Sequence, residues 1–295
     1  MIAAGGPSSA DPAGLLDDQR VGEIVRRALD EDLARRGDVT TAAVVPPDTS
    51  AAGRLLVREE GVLAGAPLAA AVFRELDPRC AVVSHAADGA RLRAGEAFLE
   101  VRGTAAALLA GERTALNFVG HLAGIATATR RMVDAVAGTA AVVTCTRKTI
   151  PGLRRLAKYA VRCGGGTNHR FGLDDGVLIK DNHVAIAGGV AAAVRRARAF
   201  LGEGVEIEVE VDSPDDVEGA LEAGADMILL DNMTPDELRE AVRLCGGAVP
   251  LEASGGVTLE TIRAIAESGV DRISVGELTV NEPSLDLEIA MKAKR

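Results

Sequence analysis

The sequence predicts an α/β protein in which a mixed α+β region precedes a series of βα repeats. Three observations carry that prediction. Short β-type runs punctuated by turn residues fill residues 51–103; from Ala141 onward apolar runs alternate with helical segments; and all but the last of those later runs end in polar or glycine-rich chemistry. The 295 residues, 47% of them hydrophobic and 26% charged, are enough for two soluble domains with buried cores.

Taken in order, residues 1–14 are rich in Ala, Gly, Ser and Pro, lack a signal-peptide pattern, and are expected to form a disordered tail. Val21, Ile24, Val25, Ala28 and Leu29 recur at helical spacing up to Leu33, before a Gly37-Asp38 turn. Strands are expected at Gly53–Arg58, Gly61–Leu63, Ala81–His85 and Ala97–Val101, with a helix at Pro67–Leu76 between them. Thr104–Val136 reads as a long helical region broken near Gly120 and Gly124. Six apolar runs then follow, at 141–145, 177–179, 205–211, 226–230, 249–253 and 271–275, the pattern of a parallel sheet or barrel. Helix starts are signalled by Pro151, Ser213-Pro214, Thr234-Pro235 and Thr258, and helix stops by Gly224, Gly246 and Gly269.

Composition narrows the function. A net charge of −10, no Trp, one Tyr and five Phe argue against nucleic acid, which favours a broad basic surface and stacking aromatics. Cys80, Cys145, Cys163 and Cys245 are scattered without a C-x-x-C pair, so they are expected to be reduced thiols in the cytoplasm rather than zinc ligands or a disulfide framework. No apolar run approaches the roughly 20 residues of a membrane-spanning helix.

Against this acidic background the chain concentrates cations. Arg147, Lys148, His169, Arg170 and Lys180 fall between Thr144 and His183, with the triplet Gly164–Gly166 among them. Such donors suit carboxylate or phosphate, and arginine engages either bidentately, so the substrate is expected to be small and multiply anionic. The triplet followed by Thr167-Asn168-His169-Arg170 reads as a functional loop. In α/β barrels the active site lies at the carboxyl ends of the strands. Here those ends are Thr146-Arg147-Lys148, Lys180, Glu210, Asp231, Ser254-Gly255-Gly256 and Val275-Gly276. The last two can offer backbone N–H groups to a phosphate.

Residues 205–211 alternate, with Glu206, Glu208 and Glu210 on one face. Inward glutamates need cations, metal or water, and Arg147, Lys148 and Lys180 are the expected partners. Glu210, nearest the carboxyl end, is the choice for chemistry, with Asp231 beside it, while Glu206 is read as structural or solvated. Two adjacent carboxylates can hold Mg²⁺ or ribose hydroxyls, or stabilise developing positive charge. The basic helix carrying Arg154, Arg155, Lys158 and Arg162 is read as largely solvated, and His183 as orienting Lys180 or capping a helix.

Glu31-Asp32-Leu33, Gly37–Thr41, Glu112–Asn117, Gly124–Thr127, Thr146–Thr149, Pro151–Arg154, Lys158–Val161, Gly164–Arg170, Ile179–His183, Glu208–Val211, Leu230–Met233, Leu251–Gly256 and Ser274–Gly276 occur in an order that resembles the quinolinate phosphoribosyltransferases. The resemblance runs from about Ala28 to Leu287. It implies an N-terminal α+β open sandwich (15–125, joined by 281–295) and a C-terminal incomplete α/β barrel (126–280), as in type II phosphoribosyltransferases. It also implies phosphoribosyl transfer from phosphoribosyl pyrophosphate to quinolinate, with loss of CO₂ and formation of nicotinate mononucleotide, in a homodimer. By position, Arg147, His169, Arg170 and Lys180 resemble quinolinate-binding residues, and Arg113 resembles an arginine supplied by the partner subunit. Thr146 belongs to the same substrate-binding run. Lys148, Glu210 and Asp231 resemble residues that handle phosphoribosyl pyrophosphate and its Mg²⁺, and Ser254, Gly255, Gly256, Val275 and Gly276 match the phosphate segments. The chain departs from the pattern at Ile150, His121 and Glu277, the last a carboxylate beside the expected phosphate cup. The rivals are an aldolase-like lyase using Lys148 or Lys180 as a Schiff base, and a related phosphoribosyltransferase with another acceptor.

Overall fold

A computed structural model describes residues 15–202 and 204–294, so the expected 1–14 tail lies outside the described residues. These divide into two compact units, one of 15–130, 155–165 and 281–294, the other of 131–154 and 166–280. Residues 155–165, expected within the second domain, therefore belong to the first unit.

The first unit opens with α1 (Asp18–Leu33), which buries Val21, Val25 and Leu29 and whose N-cap Asp17 accepts from the Arg20 backbone N–H. Asp38 caps the short α2 (Val39–Val44) in the same way. Strand β1 (Ser50–Val57) shows alternating burial, as a strand with one covered face should. After β2 (Gly61–Val62) comes α3 (Ala66–Leu76), then β3 (Ala81–Ser84), β4 (Arg91–Leu92) and β5 (Ala97–Thr104). β5 lies between β1 and β3, antiparallel to both, while β2 pairs with β4.

Helix α4 (Ala105–Ala135) runs unbroken through Gly120 and Gly124, which corrects the expected interruption. These glycines are packing positions: a Cβ on Gly120 would stand 3.2 Å from the Leu285 carbonyl oxygen, and one on Gly124 would collide with the Pro283 carbonyl. The Leu285 N–H also donates to the Gly120 carbonyl at 2.9 Å. Missing side chains here admit a second stretch of backbone rather than ending the helix.

Along the rest of the chain, β6 (Val142–Thr144), α5 (Arg154–Cys163), β7 (Val177–Ile179), α6 (Asp181–Ala187), α7 (Val190–Leu201), β8 (Ile207–Val211), α8 (Asp216–Glu222), β9 (Met227–Asp231), α9 (Pro235–Cys245), β10 (Leu251–Ser254), α10 (Ile262–Ala266) and β11 (Arg272–Ser274) succeed one another. A 3₁₀ turn at Glu277–Thr279 leads to β12 (Leu287–Lys294), which returns to the first unit and pairs antiparallel with β1. The six strands of the second unit form one parallel sheet in the order β6-β11-β10-β9-β8-β7. Helices separate most of them, giving the incomplete α/β barrel that was expected. Helix α5 departs from its reading as a solvated face: Lys158 is buried and Arg154, Arg155 and Arg162 are half-buried.

Candidate active site

The site lies within the second unit, at the carboxyl ends of its strands. Residues 167–170 run beside β6, with Thr144 and Thr167 forming a single parallel bridge and the Thr167 N–H donating to the Val143 carbonyl at 2.8 Å. The Cys145 thiol faces Asn168 Oδ1 at 3.3 Å. This pairing brings His169 and Arg170 to the end of the strand that carries Arg147 and Lys148.

Arg147 and Arg170 are both half-buried, and each has a buried Nε without a hydrogen-bond partner among the described residues. Burial, and then the neighbouring Arg147 charge, hold the Arg170 guanidinium below its ordinary pKa, against the attraction of Glu208 and Asp175. Arg170 Nη1 donates to the Gly176 carbonyl at 3.0 Å, which fixes its direction. Two like charges with unused buried donors make a place prepared for an anion.

Across the sheet, β8 is buried along its whole length. Glu210 pairs with Lys180 from the end of β7, as expected. The buried partner of Glu208 is instead His169, whose Nε2 is 2.9 Å from Glu208 Oε2. Glu206 lies before the strand and is exposed, which removes it from the inward set. On β9, burial first and the Glu210 charge next raise the Asp231 carboxyl above its ordinary pKa, with Lys180 opposing. Asn232 Nδ2 donates to Asp231 Oδ2 at 2.6 Å.

Ser254 pairs in register with Asp231. Next to it Gly255, with φ of +93°, lies so close to the Asn232 side-chain oxygen that a Cβ would collide with it. Gly276 is covered by Lys148: a Cβ there would be 2.9 Å from Lys148 Cδ and 3.5 Å from Nζ. The Lys148 carbonyl also accepts from Thr279 Oγ1, and the Lys148 N–H donates to Thr146 Oγ1 at 3.0 Å. Thr146, Lys148 and the Val275-Gly276 segment are thus tied together, while Glu277 is exposed beyond them.

Of three further sequence readings, one changes. The Gly164-Gly165 part of the triplet packs the end of α5 against α4, since a Cβ on Gly164 would lie 2.5 Å from the Ala126 carbonyl oxygen. His183 caps α6, its Nδ1 accepting from the Lys180 N–H at 2.9 Å. Arg113 is exposed on α4, in the other unit. Sequence reasoning missed Glu252 of β10, which is fully buried with its Oε1 3.7 Å from His169 Nε2. Its signal was an acid inside an apolar run; in the sheet it pairs in register with Arg272 on β11.

A two-unit α/β enzyme with cations and carboxylates gathered at the strand ends of an open parallel sheet is the class this arrangement defines. Residues 125–290 match the model of the quinolinate phosphoribosyl transferase C-terminal domain, and residues 38–123 match that of the N-terminal domain. The chain is 46% identical over 270 residues to a nicotinate-nucleotide pyrophosphorylase [carboxylating] of Mycobacterium leprae, covering 90% of this chain and 95% of that protein. It is 44% identical over 253 residues to a probable enzyme of the same name from Bacillus subtilis, covering 86% and 87%. The solved nicotinate-nucleotide pyrophosphorylase of Francisella tularensis superposes with a TM-score of 0.91 at 38% identity, covering 96% of this chain and 100% of that one. The chain belongs to the quinolinate phosphoribosyl transferase family.

Proposed function

We propose that this protein transfers the phosphoribosyl group of phosphoribosyl pyrophosphate to the ring nitrogen of quinolinate, with loss of CO₂, forming nicotinate mononucleotide and pyrophosphate in de novo NAD biosynthesis. The observation that carries the proposal is the pair of guanidiniums, Arg147 and Arg170, whose buried Nε donors have no acceptor among the described residues. Quinolinate is a dianion, and two guanidinium forks supply the charge and the planar geometry to hold it. In this proposal Lys148, which lies over Gly276, and the Ser254–Gly256 turn take the phosphate-bearing substrate.

As the ribose C1–O bond lengthens, positive charge spreads over the sugar, and the carboxylates of Glu210 and Asp231 stabilise it electrostatically. The ring nitrogen bonds to C1 and becomes cationic, so the electron pair left when CO₂ departs is stabilised next to it. A proton then replaces the lost carboxylate.

The proposal places Mg²⁺ at Glu210 and Asp231: burial and the Glu210 charge raise the Asp231 carboxyl above its ordinary pKa, a setting a cation would relieve, and Mg²⁺ commonly binds one or two carboxylates together with substrate phosphates. When bound, it screens the pyrophosphate charge and eases its departure. The proposal includes a homodimer in which the exposed Arg113 reaches the partner's site. It also includes a cytoplasmic setting, in accord with free thiols at Cys80, Cys145, Cys163 and Cys245.

The test is to incubate the purified protein with quinolinate, phosphoribosyl pyrophosphate and Mg²⁺, and to follow nicotinate mononucleotide by mass together with released CO₂. Equal yields of both, abolished by chelation, are expected. Folded protein that forms neither product would refute the acceptor assignment.

A further inference from the structure

His169 is engaged at both ring nitrogens. Its Nδ1 accepts the Arg170 backbone N–H at 2.8 Å, and its Nε2 lies 2.9 Å from Glu208 Oε2. A nitrogen that accepts an N–H bond carries no hydrogen, so the single hydrogen of a neutral imidazole sits on Nε2 and is donated to Glu208. We infer that Glu208 is a positioning residue for phosphoribosyl transfer: with the Arg170 N–H it holds His169 as the neutral Nε2–H tautomer, so His169 orients the Arg170 guanidinium and does not supply the proton that replaces the lost carboxylate. This rests on the reading of Arg170 as a quinolinate-binding residue.

Several observations support it independently of sequence. Glu208 is buried and lies within β8, a regular element, whereas His169 and Arg170 lie outside any regular strand and depend on side-chain bonds for their direction. The Arg170 guanidinium is tied at one point to Gly176, and the bond from its own N–H to the His169 ring anchors its backbone. Removal of the Glu208 acceptor frees the ring and with it the root of the Arg170 side chain.

Behind Glu208 stands Glu252. One oxygen of each carboxylate and one His169 nitrogen lie within 4.8 Å of one another, a grouping that also has the spacing of a metal site. The tautomer opposes that alternative, because an Nε2 that bears hydrogen has no lone pair for an ion. A buried carboxyl beside a carboxylate is accommodated by a retained proton, and burial followed by the Glu208 charge does push Glu252 up to about 7. With His169 excluded, Lys148 or water remains to protonate the pyridine carbon; the donor loses one proton to the carbon and regains it from solvent.

The experiment combines a spectrum with kinetics. In full-length protein labelled with ¹⁵N-histidine, where the four histidines are assigned with the aid of His169→Asn, the His169 signals should show an unprotonated Nδ1 and a protonated Nε2. Glu208→Met should raise the KM for quinolinate about tenfold or more. Glu208→Gln, whose amide oxygen still accepts the Nε2–H, should recover most of that loss. A doubly protonated His169 at pH 7, a stoichiometric metal whose removal shifts the His169 signals, or a folded Glu208→Met variant with wild-type kinetics would each overturn the inference. The spectrum needs no turnover, so its outcome is separate from whether quinolinate is the acceptor, and it stands on wild-type protein even if a variant fails to fold.

Discussion

A carboxyl group buried beside a carboxylate is most stable when neutral, and Glu252, with no exposed atom and with Glu208 next to it, is in that position. The groups that face it are Glu208 on β8, His169 on the 167–170 segment, and Arg272 and Ser274 on β11. Burial and Glu208 outweigh the others, so the folded protein keeps a proton at Glu252 up to about pH 7 that the unfolded chain releases near its ordinary 4.5. The folded state then binds more protons across that window, and stability falls as pH rises through it. Glu252→Gln keeps the hydrogens and removes the titration, so its stability relative to wild type should increase between pH 5 and 8, by an amount on the order of a few kcal/mol. Denaturant melts at the two pH values check this; an equal pH response in both proteins would exclude a proton at Glu252. The cations of the site were legible as residue types, because five of them crowd one stretch of an acidic chain. Which carboxylate each one meets was not legible, since His169 and Glu208 are 39 positions apart and meet only through the order of the strands.

At the scale of elements, punctuation was read well where it acts within one element and poorly where it serves a distant one. Thr234-Pro235 does open α9: Thr234 accepts the Glu237 N–H in a reciprocal capping box, and Gly246 ends the helix in the left-handed region. Gly120 and Gly124, which look like the same kind of mark, instead admit the backbone of residues 283–285. The two positions should therefore respond differently to alanine. A Cβ at Gly124 meets a carbonyl and forces a shift, with overpacking costing about 1–3 kcal/mol. A Cβ at Gly120 is merely tight, and the helix-propensity gain of ~1 kcal/mol offsets the contact. Thermal denaturation should show Gly124→Ala clearly destabilised and Gly120→Ala near wild type; a stabilised Gly124→Ala would contradict the packing account. The basic helix α5 was misread for a related reason. Its Arg and Lys spacing resembles a wet face, but burial of Lys158 is decided by elements that residues 154–163 do not contain.

For the whole molecule, repetition was the legible quantity. All six parallel strands form at the apolar runs, with ends shifted by two residues at most, because each run is a local signal. The sheet order and the return of β12 to the first unit are set by pairing between distant segments and left no local mark. The proposed sharing of Arg113 between subunits makes a prediction at this scale. Arg113→Ala and Glu210→Ala should each be nearly inactive alone, and a mixture that has exchanged subunits should regain activity, because one site per mixed dimer is then intact. Subunit exchange verified by differential tags, with no recovered turnover, would place Arg113 in its own subunit's site or outside catalysis.

The pairing of β12 with β1 also bears on synthesis. Until residues 287–294 have been made, β1 presents an eight-residue edge bearing alternate apolar side chains, and the whole parallel sheet is translated during that interval. An open edge of that length is a template for pairing with other chains. The nascent polypeptide is therefore more exposed to edge pairing before β12 emerges than after it.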